Sequence, residues 1–244
     1  MARSFDGTND QLERTNAIST ATANFTMMCW LNHNSAGATR TAFSNGERND
    51  GGGNGYGIWA RFVTPNYFFR WDFAFVAAVD STTTLTDGTW YHCLGLRDST
   101  TARLYLNGTE EGTTHTSAPN AVGDSSTIGA AVSGGTFNRW FNGRIAECAF
   151  WSRALSAAEI SLLADGYSPL FVPNGLISYV PIIGRNSPET DIVNSATWAV
   201  TEATNYAHPR IIYPSSPQMR RFTTAVAGGV AAQGAWKSLL GVGA

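Results

Sequence analysis

Hydrophobic and polar positions fall into short apolar runs along most of the chain, each cut off by glycine, asparagine, aspartate, serine or threonine. Phe25-Thr26-Met27-Met28-Cys29-Trp30-Leu31 is the first strong run. Tyr56–Phe62 and Tyr67–Phe75 follow, both dense in aromatics, and then Trp90–Leu96, Ala102–Leu106 and Arg144–Trp151. Runs of this length and punctuation predict strands, and their spacing predicts a sandwich or barrel. Within Leu104–Thr109 the Asn107-Gly108 pair accepts positive φ at both central positions, as a tight hairpin requires.

One stretch has a helical period, Leu155–Ala164. Ser156 is placed as its N-cap and Glu159, three residues on, completes a capping box. Ile160, Leu163 and Ala164 form the apolar stripe, and Gly166 stands where a C′ residue ends a helix. So short a helix needs a sheet to dock on. Beyond Pro169 the character changes: Leu176–Ile182 predicts one more strand, and His208–Pro217 is an extended stretch pinned by prolines. From Thr223 to Ala244 the chain is rich in Ala, Gly and Val, with too little patterned apolar surface to fold alone. That tail is expected either to be disordered or to lie against a partner.

Composition narrows the picture. A chain of 244 residues is an ordinary length for one all-β sandwich. Only 14% of residues are charged and 25 are glycine, which suits short strands and many turns better than helices. A net charge of −2 supplies no basic field for nucleic acid or an anionic membrane. No apolar run reaches the roughly 18 residues of a membrane span. Lys237 is the one lysine among 16 basic residues; arginine suits contact surfaces, and codon bias would explain the ratio equally well. Cys29, Cys93 and Cys148 each sit inside an apolar run, and their odd number and wide spacing predict buried thiols, with no disulfide framework or metal site. The polar opening MARSFDGTND predicts no signal peptide, hence synthesis in a cytoplasm.

Four stretches carry a family resemblance. Ser4–Asp10 is similar to the "FDG-ND" opening strand of laminin-G-like, concanavalin-type jelly rolls, and Phe25–Leu31 resembles their "FTx-x-x-W" strand. Gly88–His92 with Leu104–Gly108 resembles the "W-x-H … L-Y-V-N-G" pair. Phe141–Glu147 with Trp151–Ile160 is similar to the final strand and helix. The resemblance implies an all-β, two-sheet antiparallel jelly-roll sandwich, with one short helix, over residues 1–205 and a C-terminal attachment arm over 206–244. Asn174–Ile183 and Asp191–Trp198 resemble a strand that usually precedes the opening one, so the order resembles a circular permutation, with the displaced strand near 175–183.

The chemistry expected of an enzyme on this fold is missing from the sequence. Glycosidases need two carboxylates facing one sugar, and the family's glucanases carry them as Glu-x-Asp-x-x-Glu, a pattern not found here. Glu110-Glu111 adjoin a turn, Glu147 stands alone, and Glu189-Thr190-Asp191 reads as a solvated loop. The four histidines are scattered, and His92 is expected to be a hydrogen-bonded structural residue. The glycine-rich segment 45–55 is followed by no helix that could cradle a phosphate. The expectation is no enzyme, no catalytic residue and no cofactor.

Two functions remain. The resemblance extends to laminin-G-type proteins carried on bacteriophage virions, and it implies a non-enzymatic virion protein, a capsid decoration or surface protein made in the host cytoplasm. Such a protein would be a homo-oligomer attached to major capsid or other virion proteins by its arm, through Arg210, Ile211, Ile212, Tyr213, Arg220, Arg221 and Trp236. The alternative is a carbohydrate-binding, lectin-like adhesion module for surface glycans. It would use Trp59, Tyr67, Trp71 and Trp140 as platforms and Asp50 and Asn54 as polar ligands, with calcium in one version. Each of those aromatics also suits the core of a sandwich.

Overall fold

The computed structural model describes residues 2–18, 24–47, 54–73, 77–118, 125–184 and 186–214. Strands β1 (Ala2–Asp6), β2 (Gln11–Arg14), β3 (Phe25–His33) and β4 (Arg40–Glu47) lead into a meander of β5 (Asn54–Val63), β6 (Asn66–Phe73) and β7 (Ala77–Leu85). A second meander follows in β8 (Tyr91–Asp98), β9 (Thr101–Leu106) and β10 (Thr109–His115). Three short strands, β11 (Ser126–Ile128), β12 (Ala131–Ser133) and β13 (Thr136–Asn138), precede the long β14 (Asn142–Trp151). Helix α1 (Ala157–Ala164), a 3-10 turn (Pro169–Phe171), β15 (Leu176–Val180), β16 (Glu189–Thr190), β17 (Thr197–Thr201) and β18 (Thr204–Tyr206) complete the order.

The strands form the two sheets of a jelly-roll sandwich. The first runs β10-β9-β8-β3-β14-β1-β18, with β15 also on β14; the second runs β16-β17-β2-β11-β4-β5-β6-β7; β12 and β13 make a separate hairpin. The strand expected near 175–183 forms as β15 and pairs antiparallel with β14. The Asn107-Gly108 turn has φ of 50° and 81°, the positive pair that the hairpin between β9 and β10 needs.

Around β3, β8 and β14 the first sheet is covered on both faces, which explains why β3 shows no polar–apolar alternation. Met27, Cys29 and Leu31 point into the sandwich, while Met28 joins a second cluster with Leu94, Trp151, Ile160 and Leu163 under helix α1. The helix carries the capping box expected of it, with the Ser156 side chain bound to the Glu159 N–H and the Glu159 carboxylate bound back to Ser156. Between the sheets, Phe25 stacks on Tyr56 with ring centroids 4.4 Å apart. Trp71 crosses from the second sheet to Gly95, where a β-carbon would lie 2.1 Å from the indole. Cys29 pairs with Cys93 across β3 and β8, and all three cysteines are buried free thiols.

One edge of β14 is filled by two strands in succession, β1 along residues 142–145 and β15 along 148–151. Between them Glu147 has a φ of 56° at a bulge against β3, and its side chain is fully buried. A buried carboxylate needs donors. The hydroxyl of Tyr179 in β15 supplies one, the Tyr213 hydroxyl another at 2.7 Å, and His208 Nε2 lies 2.9 Å away. Burial and the Glu147 carboxylate push both tyrosine hydroxyls above their ordinary pKa, so they stay protonated and donate.

Those contacts correct the expected domain boundary. The first compact unit extends past residue 205 to Tyr213, and the second, Pro214–Ala244, lies almost wholly outside the described residues. Ile212 donates its N–H to Gly166 O at 2.8 Å and accepts one from Ser168 at 2.9 Å. The start of the expected arm is therefore bound to its own sandwich.

Candidate functional site

With α1 over the first sheet, the second sheet offers its outer face. The period-2 rule divides β6 cleanly: Tyr67, Phe69 and Trp71 enter the core, so Phe68, Arg70 and Asp72 point outward. Register then assembles the face. Phe68 stands opposite Arg61 of β5 and Thr84 of β7; Arg70 stands opposite Trp59 and Asp80; Asp72 stands opposite Gly57 and Ala78.

Charged side chains connect across these three strands. Asp80 receives Arg61 Nη1 at 2.5 Å, Arg70 Nε at 2.7 Å and Arg70 Nη2 at 2.9 Å. Arg70 Nη1 also lies 3.6 Å from Asp72. Burial opposes the charge on Arg70, but Asp80 and Asp72 more than offset it and its pKa is raised. Side-chain exposure rises along the ladder from 4% at Asp72 through 23% at Arg70 and 27% at Asp80 to 37% at Arg61. The buried end is anchored and the Arg61 end is open to solvent. Beside that end Phe68 is half-buried and Val63 is 41% exposed.

Both sides of the face are held in place. At the β7 edge Glu111 of β10 reaches across from the first sheet, accepting both backbone N–H groups and both hydroxyls of Thr82 and Thr83. Burial would raise the Glu111 pKa, yet these bonds hold it below the ordinary range. Toward β2, the segment after the β12–β13 hairpin lies near, with the Arg139 guanidinium 5.6 Å from the Trp59 ring and Trp140 Nε1 donating to Gln11 at 3.3 Å. The arrangement offers paired donors and acceptors next to an aromatic ring, the combination that sugar hydroxyls and the apolar face of a pyranose require.

Several sequence expectations for the site are corrected by burial. Trp59 is 2% exposed, Tyr67 3% and Trp71 0%, so none presents a ring face to a ligand. Tyr67 and Trp71 lie in the core; Trp59 is on the outer face but covered. Trp140 is half-buried and keeps some open surface. Asn54 begins β5, whereas Asp50 lies outside the described residues, as do Arg220, Arg221 and Trp236. Arg210, Ile211, Ile212 and Tyr213 belong to the docked stretch described above, with Ile212 40% and Tyr213 43% exposed. His92 is buried with both ring nitrogens lacking a partner among the described residues, and its backbone makes the bonds to Asn107 instead. Phe68, Arg61, Arg70 and Asp80 escaped notice in the sequence; the alternation Tyr67-Phe68-Phe69-Arg70-Trp71-Asp72 was the signal.

Solved structures share this architecture. A Bacteroides ovatus protein whose assigned role is carbohydrate binding superposes with a TM-score of 0.63 at 17% identity, over 86% of this chain and 61% of that one. The chain thus spans about three fifths of that relative's length. The heptameric SAP-like pentraxin of Limulus polyphemus gives 0.58 at 16% identity, covering 82% of this chain and 95% of its own. Domain 4 of AbnA, a GH43 extracellular arabinanase of Geobacillus stearothermophilus solved with arabinotriose, gives 0.53 at 16%, over 67% of this chain and 76% of that one. No curated protein matches in sequence. Residues 6–161, more than half of the chain, match one described family, and on that match the chain belongs to the concanavalin A-like lectin/glucanases superfamily.

Proposed function

We propose that the protein is a non-catalytic carbohydrate-binding module whose ligand lies on the outer face of β5, β6 and β7. The observation that carries this reading is the Asp80 carboxylate shared by Arg61 and Arg70, open at its Arg61 end and flanked by Phe68. Fixed charged groups make stronger hydrogen bonds than neutral ones, and a pre-formed ladder spends little entropy when a ligand arrives. The sandwich relatives that bind or are assigned to bind sugars support the reading. The expectation of a virion coat protein rested in part on an arm from residue 206, and the stretch of that arm to Tyr213 is bound to its own domain.

A glycan array probed with the full chain tests the reading. Saturable binding that is lost in Phe68→Ala, with the melting temperature kept, is the expected result. A flat array for the wild-type chain would refute it.

A further inference from the structure

Resting on that reading, we infer that the face selects neutral glycans, recognised through adjacent hydroxyls, and discriminates against sugars that carry a carboxylate. The argument is one of charge accounting. Among the described residues at the face and its margins, the cations are Arg61, Arg70 and Arg139 and the anions are Asp72, Asp80 and Glu111. Each is already engaged. Asp80 takes both Arg61 and Arg70, Asp72 flanks Arg70, Glu111 is satisfied by Thr82 and Thr83, and Arg139 stands over Trp59.

A carboxylated sugar would need a guanidinium of its own. The most accessible one, Arg61, is bound to Asp80 at 2.5 Å, so the incoming carboxylate would have to displace Asp80 or sit beside it. Two like charges at that spacing repel, and the half-buried setting weakens the screening that water would supply. A hydroxyl meets no such conflict. It donates to the one acceptor site left on Asp80, at Oδ1, while accepting from the N–H groups of Arg61 not used by Asp80, so two neighbouring hydroxyls can use both members of one ion pair without breaking it. The apolar C–H face of the same ring can rest on Phe68, opposite Arg61 in the register.

The test is calorimetric titration of the full chain with cellotriose, mannotriose, arabinotriose and lactose, set against trigalacturonate and 3′-sialyllactose. The inference expects the best neutral sugar to bind at least tenfold more tightly than either acidic one, with little dependence on salt. In Asp80→Asn, which frees both arginines, the preference should fall by tenfold or more and salt dependence should appear. If that variant does not fold, Arg61→Gln at the exposed end serves instead, weakening neutral sugars without bringing in acidic ones. Acidic sugars bound as tightly as neutral ones by the wild-type chain would overturn this inference and leave the binding reading intact. An unchanged preference in folded Asp80→Asn would overturn it too. Binding to none of the six would overturn this inference, and a flat glycan array as well would overturn the binding reading.

Discussion

Glu147 and Tyr213 lie 66 positions apart in the chain, and the tyrosine hydroxyl donates to the buried carboxylate at 2.7 Å. With His208 it ties the last described stretch to the centre of β14. Breaking a buried charge away from its partners costs more than the net worth of the bonds, because the charge stays desolvated. A chain ending at residue 206 should therefore be less stable by roughly 3–5 kcal/mol than one ending at 214. Urea titration of the two truncations is the check, and equal midpoints would contradict the role given to Glu147.

Gly95 is required by Trp71 rather than by backbone conformation. A methyl group there would lie 2.1 Å from the indole, which is fully buried and cannot retreat. Gly95→Ala should cost about 1–3 kcal/mol, the usual range for overpacking. Thermal melts read this directly, and the near-ultraviolet spectrum should report a displaced tryptophan.

His92 makes stability depend on acidity. Burial lowers its pKa from 6.5 to about 3, so the unfolded chain binds a proton that the folded one refuses. The contribution is complete above pH 6.5 and is lost as pH falls toward 3. At pH 5 the loss should amount to about 2 kcal/mol relative to pH 7. In His92→Phe the stability difference between those two pH values should shrink; an identical difference would show that other groups set it.

Glu159 acts lower on the scale. The hydrogen bond from Arg153, with help from the Ser156 cap, brings its pKa from 4.5 to about 2. Its support for helix α1 is present above pH 4.5 and disappears as pH falls toward 2. The pair is half-buried at the surface, where solvent still screens it, so the effect should be modest and salt-sensitive. Arg153→Met should flatten the melting-temperature profile across that window.

Local signals in the sequence were reliable. The capping box at Ser156 and the Asn107-Gly108 turn rest on neighbouring residues and formed as read, and the strand read over Leu176–Ile182 formed over Leu176–Val180. The candidate site was less legible because it depends on which parity of a strand faces inward. Where both faces of β6 carry aromatics, Tyr67 and Trp71 look as suited to a ligand as Phe68 does. Trp59 has the outward parity but is covered by Arg139, far along the chain. The end of the domain was misjudged for a related reason. A lone glutamate in Ala146-Glu147-Cys148 announces a buried charge seeking donors, but not that they come from His208 and Tyr213.

The pairing of Ala2 with Tyr206 has a mechanical consequence. Because β1 begins where β18 ends, a pull between the two ends of the sandwich would open that pair like a zipper, one rung at a time, instead of shearing a whole strand at once. The stretch from His208 to Tyr213 stands ahead of that zipper on the loaded side. When the module is anchored at one end and tugged at the other, the hydroxyls and imidazole around Glu147, with the backbone bonds of Ile212, are therefore loaded before the zipper.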